Sequence, residues 1–171
     1  VESRGLGDVY KRQIISCLFC PMVIFGQEKA EVFTWHPDGK PVALYDDASL
    51  TKKRIDVYPD VEEGMAGMIF YIDVESDSCL RVIIDPLDYL FVRKGTLAVN
   101  TRNYNNKCFP LYEAPDAMSR LVFQSHVQQT VIVYGICDGW LFVEAQDEYQ
   151  QLVRGWLPPN MQCGNPYTTC G

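Results

Sequence analysis

The chain has 171 residues, with 15 Lys and Arg against 22 Asp and Glu, for a formal net charge of −7 at neutral pH. An acidic surface repels polyanions, so this balance argues against nucleic acid or an anionic membrane as partner. The length suits one medium domain or two small ones.

At the N-terminus, residues 3–13 (SRGLGDVYKRQ) resemble a translated sequencing adaptor, so 1–13 are set aside from fold reasoning. Next comes IISCLFCPMVIFG, residues 14–26. This apolar run is too short to span a bilayer as a helix and has the length of a signal-peptide core. It predicts cleavage before Gln27 and an exported protein, periplasmic or extracellular and not membrane-spanning. Cys17 also fits a lipoprotein box, but most of the apolar core follows it instead of preceding it.

From Ala30 onward, runs rich in Val, Ile, Phe and Tyr, such as TLAVNTR, QTVIVYGI and GWLFVEA, alternate with PDG, DD, NN, PD and DG turn pairs. No stretch keeps a helical period. The predicted class is therefore all-β, with short strands of the kind that build small barrels.

An internal repeat organises these strands. An offset of 67 lays KAEVFTWHPDGKPVALYDD on TLAVNTRNYNNKCFPLYEA, matching Val32 with Val99, Thr34 with Thr101, Lys40 with Lys107, Leu44 with Leu111 and Tyr45 with Tyr112. The offset then becomes 61, with Asp77 on Asp138, Leu80 on Leu141, Val82 on Val143 and Cys79 on Trp140. It returns to 67 where Tyr89-Leu90 meets Trp156-Leu157. Loops of unequal length between matching strands are what two copies of one fold produce. The expected units are residues 29–94 and 95–160, joined near Arg93 to Thr96, each with its own small core, followed by a tail over 161–171.

The second repeat resembles the bacterial SH3-like family in its order of parts. LYEAPDAMS stands at a first strand ending in a Pro-containing diverging turn, CDGWLFV at a central strand opened by Asp-Gly-Trp, and RGWLPP at a closing Gly-Trp. With the repeat, the likeness covers 29–160 and implies two tandem small SH3-like β-barrels after a signal segment. Small exported bacterial envelope proteins with paired SH3-like domains and a terminal CxNPYTTC segment are similar to it. ALYDD at 43–47 and GWLPPN at 155–160 also resemble the hallmarks of peptide-binding SH3 domains. That likeness implies a groove in the second repeat formed by Tyr112, Trp140, Trp156, Pro158 and Asn160. Such grooves offer flat apolar faces to a polyproline-type helix. Trp140 and Trp156 are each open to a core or a groove role, with core favoured for Trp140 and groove for Trp156. The first repeat has Cys79 for the central Trp and, by the same offset, Phe91 and Arg93 for Pro158 and Asn160, so binding is expected in the second.

Five cysteines follow the signal segment: Cys79, Cys108, Cys137, Cys163 and Cys170. In an oxidising compartment most should pair. Six residues with an Asn-Pro turn separate Cys163 from Cys170, which favours a local disulfide closing the tail. Cys108 and Cys137, in strands of one repeat, make the second expected pair, and Cys79 is left as a buried, inert thiol.

His36 and His126 both lie in turns without metal-ligand spacing, so no metal and no cofactor is expected. Asp46, Asp47, Glu113 and Asp116 flank the first strand of each repeat and read as solvated turns before they read as a glycosidase pair. No nucleophile, base and orienting group converge in the sequence. The expectation is a non-enzymatic binding module of the bacterial cell envelope that recognises a peptide, a peptidoglycan stem or a protein partner. The alternative is a structural or accessory envelope protein without a dedicated ligand site.

Overall fold

The computed structural model describes residues 28–168 apart from 63 and 106. The adaptor-like and signal segments, and Cys170, therefore lie outside the described residues. The class is all-β. Six strands form from the first repeat, β1 (Ala30–Trp35), β2 (Val42–Tyr45), β3 (Lys53–Val57), β4 (Ala66–Glu75), β5 (Cys79–Asp85) and β6 (Asp88–Arg93). Six more form from the second, β7 (Leu97–Thr101), β8 (Phe109–Tyr112), β9 (Leu121–Ser125), β10 (Thr130–Cys137), β11 (Trp140–Gln146) and β12 (Leu152–Leu157). A 3-10 turn (Pro159–Met161) and the short β13 (Gln162–Cys163) close the described chain.

Alternating burial makes the strands. In β11, Leu141, Val143 and Ala145 are buried while Trp140, Phe142 and Glu144 face outward. Every pairing is antiparallel, and the order is β3-β2-β6-β5-β4-β1-β7-β10-β11-β12-β8-β9, with β13 on the side of β7. Read from either edge to the centre, the two halves carry the same strand order. They also share irregularities. The β4–β5 ladder shifts register between Ile72 and Val74, and the β10–β11 ladder does so between Val133 and Gly135. Likewise Leu44/Tyr45 in β2 matches Leu111/Tyr112 in β8.

The pairings correct one part of the sequence alignment. Tyr45 pairs with Phe91, and its counterpart Tyr112 pairs with Trp156. Phe91, not Tyr89, is thus the equivalent of Trp156, and Arg93 stands where Pro158 does. A slip of two residues keeps every side chain on its own face, so hydrophobic alternation cannot detect it.

The halves meet where β1 pairs with β7, through Phe33 with Ala98 and Thr34 with Leu97. Most of the buried apolar side chains form one connected cluster drawn from both halves, from Val32, Leu44 and Leu80 to Val99, Leu141 and Leu157. The two separate cores expected from the repeat are joined because β1 and β7 lie side by side. On the opposite face Phe33, Ala66 and Ala98 form a second cluster with Trp35, Ile69 and Ile132 packed against it. The central strands are therefore covered on both sides.

The connection Lys94–Thr96 is tied to both halves. The Trp35 amide donates to the Thr96 carbonyl (2.9 Å) and the Gly95 amide to that of Val133 (3.0 Å). Beside it, the Glu75 carboxylate accepts from the Ile136 amide (2.7 Å) and lies 3.8 Å from Lys94 Nζ. Gly135 leaves room for that carboxylate, since a Cβ there would overlap Glu75 Oε2. Burial raises the Glu75 pKa above the usual glutamate value, with Lys94 and the Ile136 amide working in the opposite direction.

A carboxyl whose pKa is raised on folding holds its proton more tightly when folded. Its contribution to stability is full below the unfolded value of about 4.3 and is lost as pH rises through the folded value. Glu75→Gln keeps an acceptor for Ile136 and removes the titration. Urea unfolding from pH 4 to 7 should show wild-type stability falling relative to this variant as pH rises; a constant difference would show that the carboxyl is not held in a desolvated setting.

Candidate functional site

The five residues of the expected groove come from the ends of β8, β11 and β12 and from the 3-10 turn. Tyr112 and Trp140 meet edge to face with centroids 5.7 Å apart, and both are half-buried. Trp156, opposite Phe142 and Tyr112 in the sheet, is only 5% exposed and packs on the Phe142 ring at 5.3 Å. Its indole Nε1 is buried and lacks a hydrogen-bond partner. Pro158 is buried and Asn160 is exposed. The structure thus brings Tyr112 and Trp140 together at the surface but withdraws Trp156 and Pro158 from it. This reverses the expected roles of the two tryptophans. The outward face of β12 is not open, because Phe142 covers Trp156; the flanking Pro-Pro does not expose the indole.

The expected Cys108–Cys137 disulfide is not formed. Between β8 and β10 lie β12 and β11. Three strand spacings are roughly 14 Å, twice what a disulfide spans between Cα atoms. Cys79 is free and buried, with Sγ 2.9 Å from Ser76 Oγ and donating to the Ala48 carbonyl (3.4 Å). For the expected Cys163–Cys170 pair, Cys163 is buried and Cys170 is outside the described residues.

The acidic turns are structural. Asp47 accepts from the amides of Thr51 (3.0 Å) and Lys52 (2.8 Å) and from the hydroxyls of Ser49 and Thr51. These donors hold its carboxyl far below the usual aspartate range, the Thr51 amide most of all. Asp46 pairs with Arg54, which also reaches Asp88, and Glu113 pairs with Arg120. None of these carboxylates is left facing a cleft as an acid-base pair. His36 is buried: its Nδ1 donates to the Lys40 carbonyl (2.7 Å) and its Nε2 lies 3.2 Å from Thr34 Oγ1. The second half repeats this device with Thr101, whose hydroxyl donates to Asn103 Oδ1 (2.7 Å).

A more open groove lies in the first half. The connection between β3 and β4, residues 58–65, is twice as long as its counterpart 126–129. It is closed on itself by a bridge between Asp60 and Ala66, by the Met65 amide donating to the Asp60 carbonyl (3.1 Å), and by left-handed backbone at Gly64 and Met65. Asp60 Oδ1 accepts from the Glu62 amide (3.1 Å), which fixes the start of the turn. From the far end of the chain, Tyr167 reaches across and its hydroxyl donates to the Gly67 carbonyl (2.7 Å). Tyr58, Pro59, Val61, Met68 and Tyr167 line the groove together with Asp60 and Glu62. Tyr58 is 70% exposed and Val61 77%. No Lys or Arg lines it among the described residues.

Sequence reasoning missed this groove. The signal was the extra stretch YPDVEEGM in the first repeat, which reads as a loop insertion until Tyr167 is seen beside it.

No family model matches the chain, and no curated protein matches it. Among solved structures it is similar to NlpC1 from Trichomonas vaginalis, with 14% identity and a TM-score of 0.34 over 80% of this chain and 46% of that one. NlpC2 from the same organism is similar at 13% identity and a TM-score of 0.31, over 80% of this chain and 48% of that one. The chain thus spans about half the length of these structures.

Trp156 has a core role by this geometry. Trp156→Ala should lower unfolding stability by about 3–5 kcal/mol in a urea titration, the usual cost of emptying a buried aromatic site. A loss below about 1 kcal/mol would return Trp156 to the surface and restore the expected groove.

Proposed function

We propose that the protein is a non-enzymatic, exported binding module of the bacterial cell envelope that takes an extended, positively charged peptide segment across Tyr58, Met68 and Tyr167. The observation that carries this reading is the groove of exposed aromatic and apolar side chains edged by Asp60 and Glu62. Exposed aromatics supply contact area at small entropic cost, and the carboxylates select the sign of the ligand's charge. The resemblance of the sequence to SH3-like domains supports the same class, in which an extended ligand lies on aromatic side chains. The ligand site moves with respect to the sequence expectation, from the second half to the first.

One observation favours the alternative, an accessory protein without a ligand site. Trp156 and Pro158, the closing pair of the expected groove, are buried in the body of the second half.

A peptide array separates the two. Extended proline-containing peptides bearing Lys or Arg, the same peptides bearing Glu, and peptidoglycan stem peptides are presented to the purified protein. The basic peptides should bind best and should weaken with salt. Tyr58→Ala should reduce their affinity roughly tenfold or more, and Glu62→Lys should reduce it for basic peptides alone. Tyr149→Ala, at an exposed tyrosine of the second half, should leave it unchanged. Binding that Tyr149→Ala abolishes and Tyr58→Ala spares would place the site elsewhere, and no binding by any peptide would favour the accessory reading.

A further inference from the structure

Residues paired directly across antiparallel strands point to the same side of a sheet, so the register of the first half aligns its side chains in rows. One row crosses four strands. Glu31 of β1 pairs with Tyr71 of β4, Tyr71 with Ile83 of β5, and Ile83 with Tyr89 of β6. Tyr71 and Tyr89 are each 49% exposed, while their chain neighbours Ile72, Val82 and Leu90 are buried, so the row lies on the outward face. Two strand spacings separate the tyrosines, roughly 10 Å between their Cα atoms. Between them the half-buried Ile83 makes an apolar floor.

Both rings are held in place. The Tyr71 hydroxyl donates to Glu31 Oε1 (3.3 Å). Tyr89 meets Phe91 edge to face with centroids 5.8 Å apart, and the Arg81 guanidinium sits over the Tyr89 ring at 5.1 Å. Asp73 accepts two hydrogen bonds from Arg81 (2.9 Å each), so the two charges cancel beside Tyr89. The framework does not require such a row. The matching positions of the second half are Ile132, Glu144 and Arg154, where an ion pair stands in place of the rings. Past Tyr71 and Glu31 the face leads into a cavity of about 380 Å³ that Glu28, Arg102 and Gln162 also line. Gln162 is fixed there, its Nε2 donating to the carbonyls of Gly139 (2.8 Å) and Leu157 (3.1 Å).

We propose that this row is a docking face for an uncharged, extended β-1,4-linked glycan, laid across the strands from Tyr89 to Tyr71 with its end in the cavity. In such a chain every second sugar presents the same face, and the length of one disaccharide matches the separation of the two tyrosines. The axial C–H groups of a β-pyranose form an apolar face that packs on the electron-rich face of an aromatic ring. The hydroxyls at the rim of the sugar then meet Arg81 and Asp73 at one ring and Glu31 at the other, with Glu28, Arg102 and Gln162 beyond. Charge selects for a neutral chain. The only cation beside the rings, Arg81, is already matched by Asp73, and the face ends at two glutamates in a protein of net charge −7, so an acidic polysaccharide is repelled. This face is separate from the Tyr58 groove and does not depend on it.

The test is calorimetric titration of the folded full chain with cellohexaose and chitohexaose, which share the linkage and differ at the 2-position, and with maltohexaose and polygalacturonate as controls. At least one of the two β-linked hexaoses should bind, and neither control should. Reaching both rings takes at least a trisaccharide, so the matching disaccharide should bind roughly tenfold or more weakly than the hexaose. Tyr71→Ala and Tyr89→Ala should each lower the hexaose affinity roughly tenfold while circular dichroism stays unchanged, and Tyr71→Phe, which keeps the ring, should retain it. Tyr58→Ala should leave glycan binding intact, which separates this face from the peptide groove. The proposal is overturned if neither β-linked hexaose binds, if maltohexaose binds as well as they do, if disaccharide and hexaose bind alike, or if Tyr71→Ala and Tyr89→Ala leave the affinity unchanged.

Discussion

The pairing of β1 with β7 is the interaction on which the rest of the molecule depends. Without it each half would end in an open strand edge, a row of unpaired amides and carbonyls that invites another chain. With it, Phe33, Ala98 and their neighbours are buried on one face and Val32 and Val99 on the other, so the joined strands are the least exposed part of the sheet. The junction also accommodates a charge. Glu75 lies against Ile136 and Lys94 at a point where burial opposes ionisation, and the hydrogen bond and the cation offset part of that cost.

Around this seam the two halves share strand order, register shifts and buried threonine pairs, yet they differ in what they show to solvent. The outward positions of β5 and β6 carry Arg81 over the Tyr89 ring with Tyr89 on Phe91, whereas the matching positions of β11 and β12 carry Phe142 on Trp156. At the end of the first hairpin, the longer connection builds the acidic aromatic groove of Tyr58; at the matching end of the second, the β8–β9 register sets Cys108 beside His126. A common framework with divergent loops lets one sheet carry two chemically unlike surfaces.

Much of the framework was legible in the sequence because it rests on local signals. Strand runs and turn pairs follow from side-chain alternation and glycine chemistry, as at Asp138-Gly139, whose two positive φ angles make the tight hairpin into Trp140. Offsets of 67 and 61 located Val32 with Val99 and Leu80 with Leu141, which the pairings reproduce. What escaped depended on contacts between distant segments or on a symmetry of the strand itself. The two-residue slip at Phe91 is invisible to a pattern of period two. Burial of Trp156 needs Phe142 on the neighbouring strand, Cys108 and His126 become neighbours only through the β8–β9 register, and Tyr167 reaches Gly67 from a hundred residues away.

The proposed ligand surface lies on the first half, not the second. Chemical-shift mapping tests it most directly: isotopically labelled protein is titrated with an arginine-containing, proline-rich peptide and the perturbed residues are located on the sheet. Saturable shifts should centre on Tyr58, Val61, Met68 and Tyr167, with the Tyr112 and Trp140 signals unmoved. Shifts centred on Tyr112, Trp140 and Asn160 would contradict it, as would a titration that moves nothing.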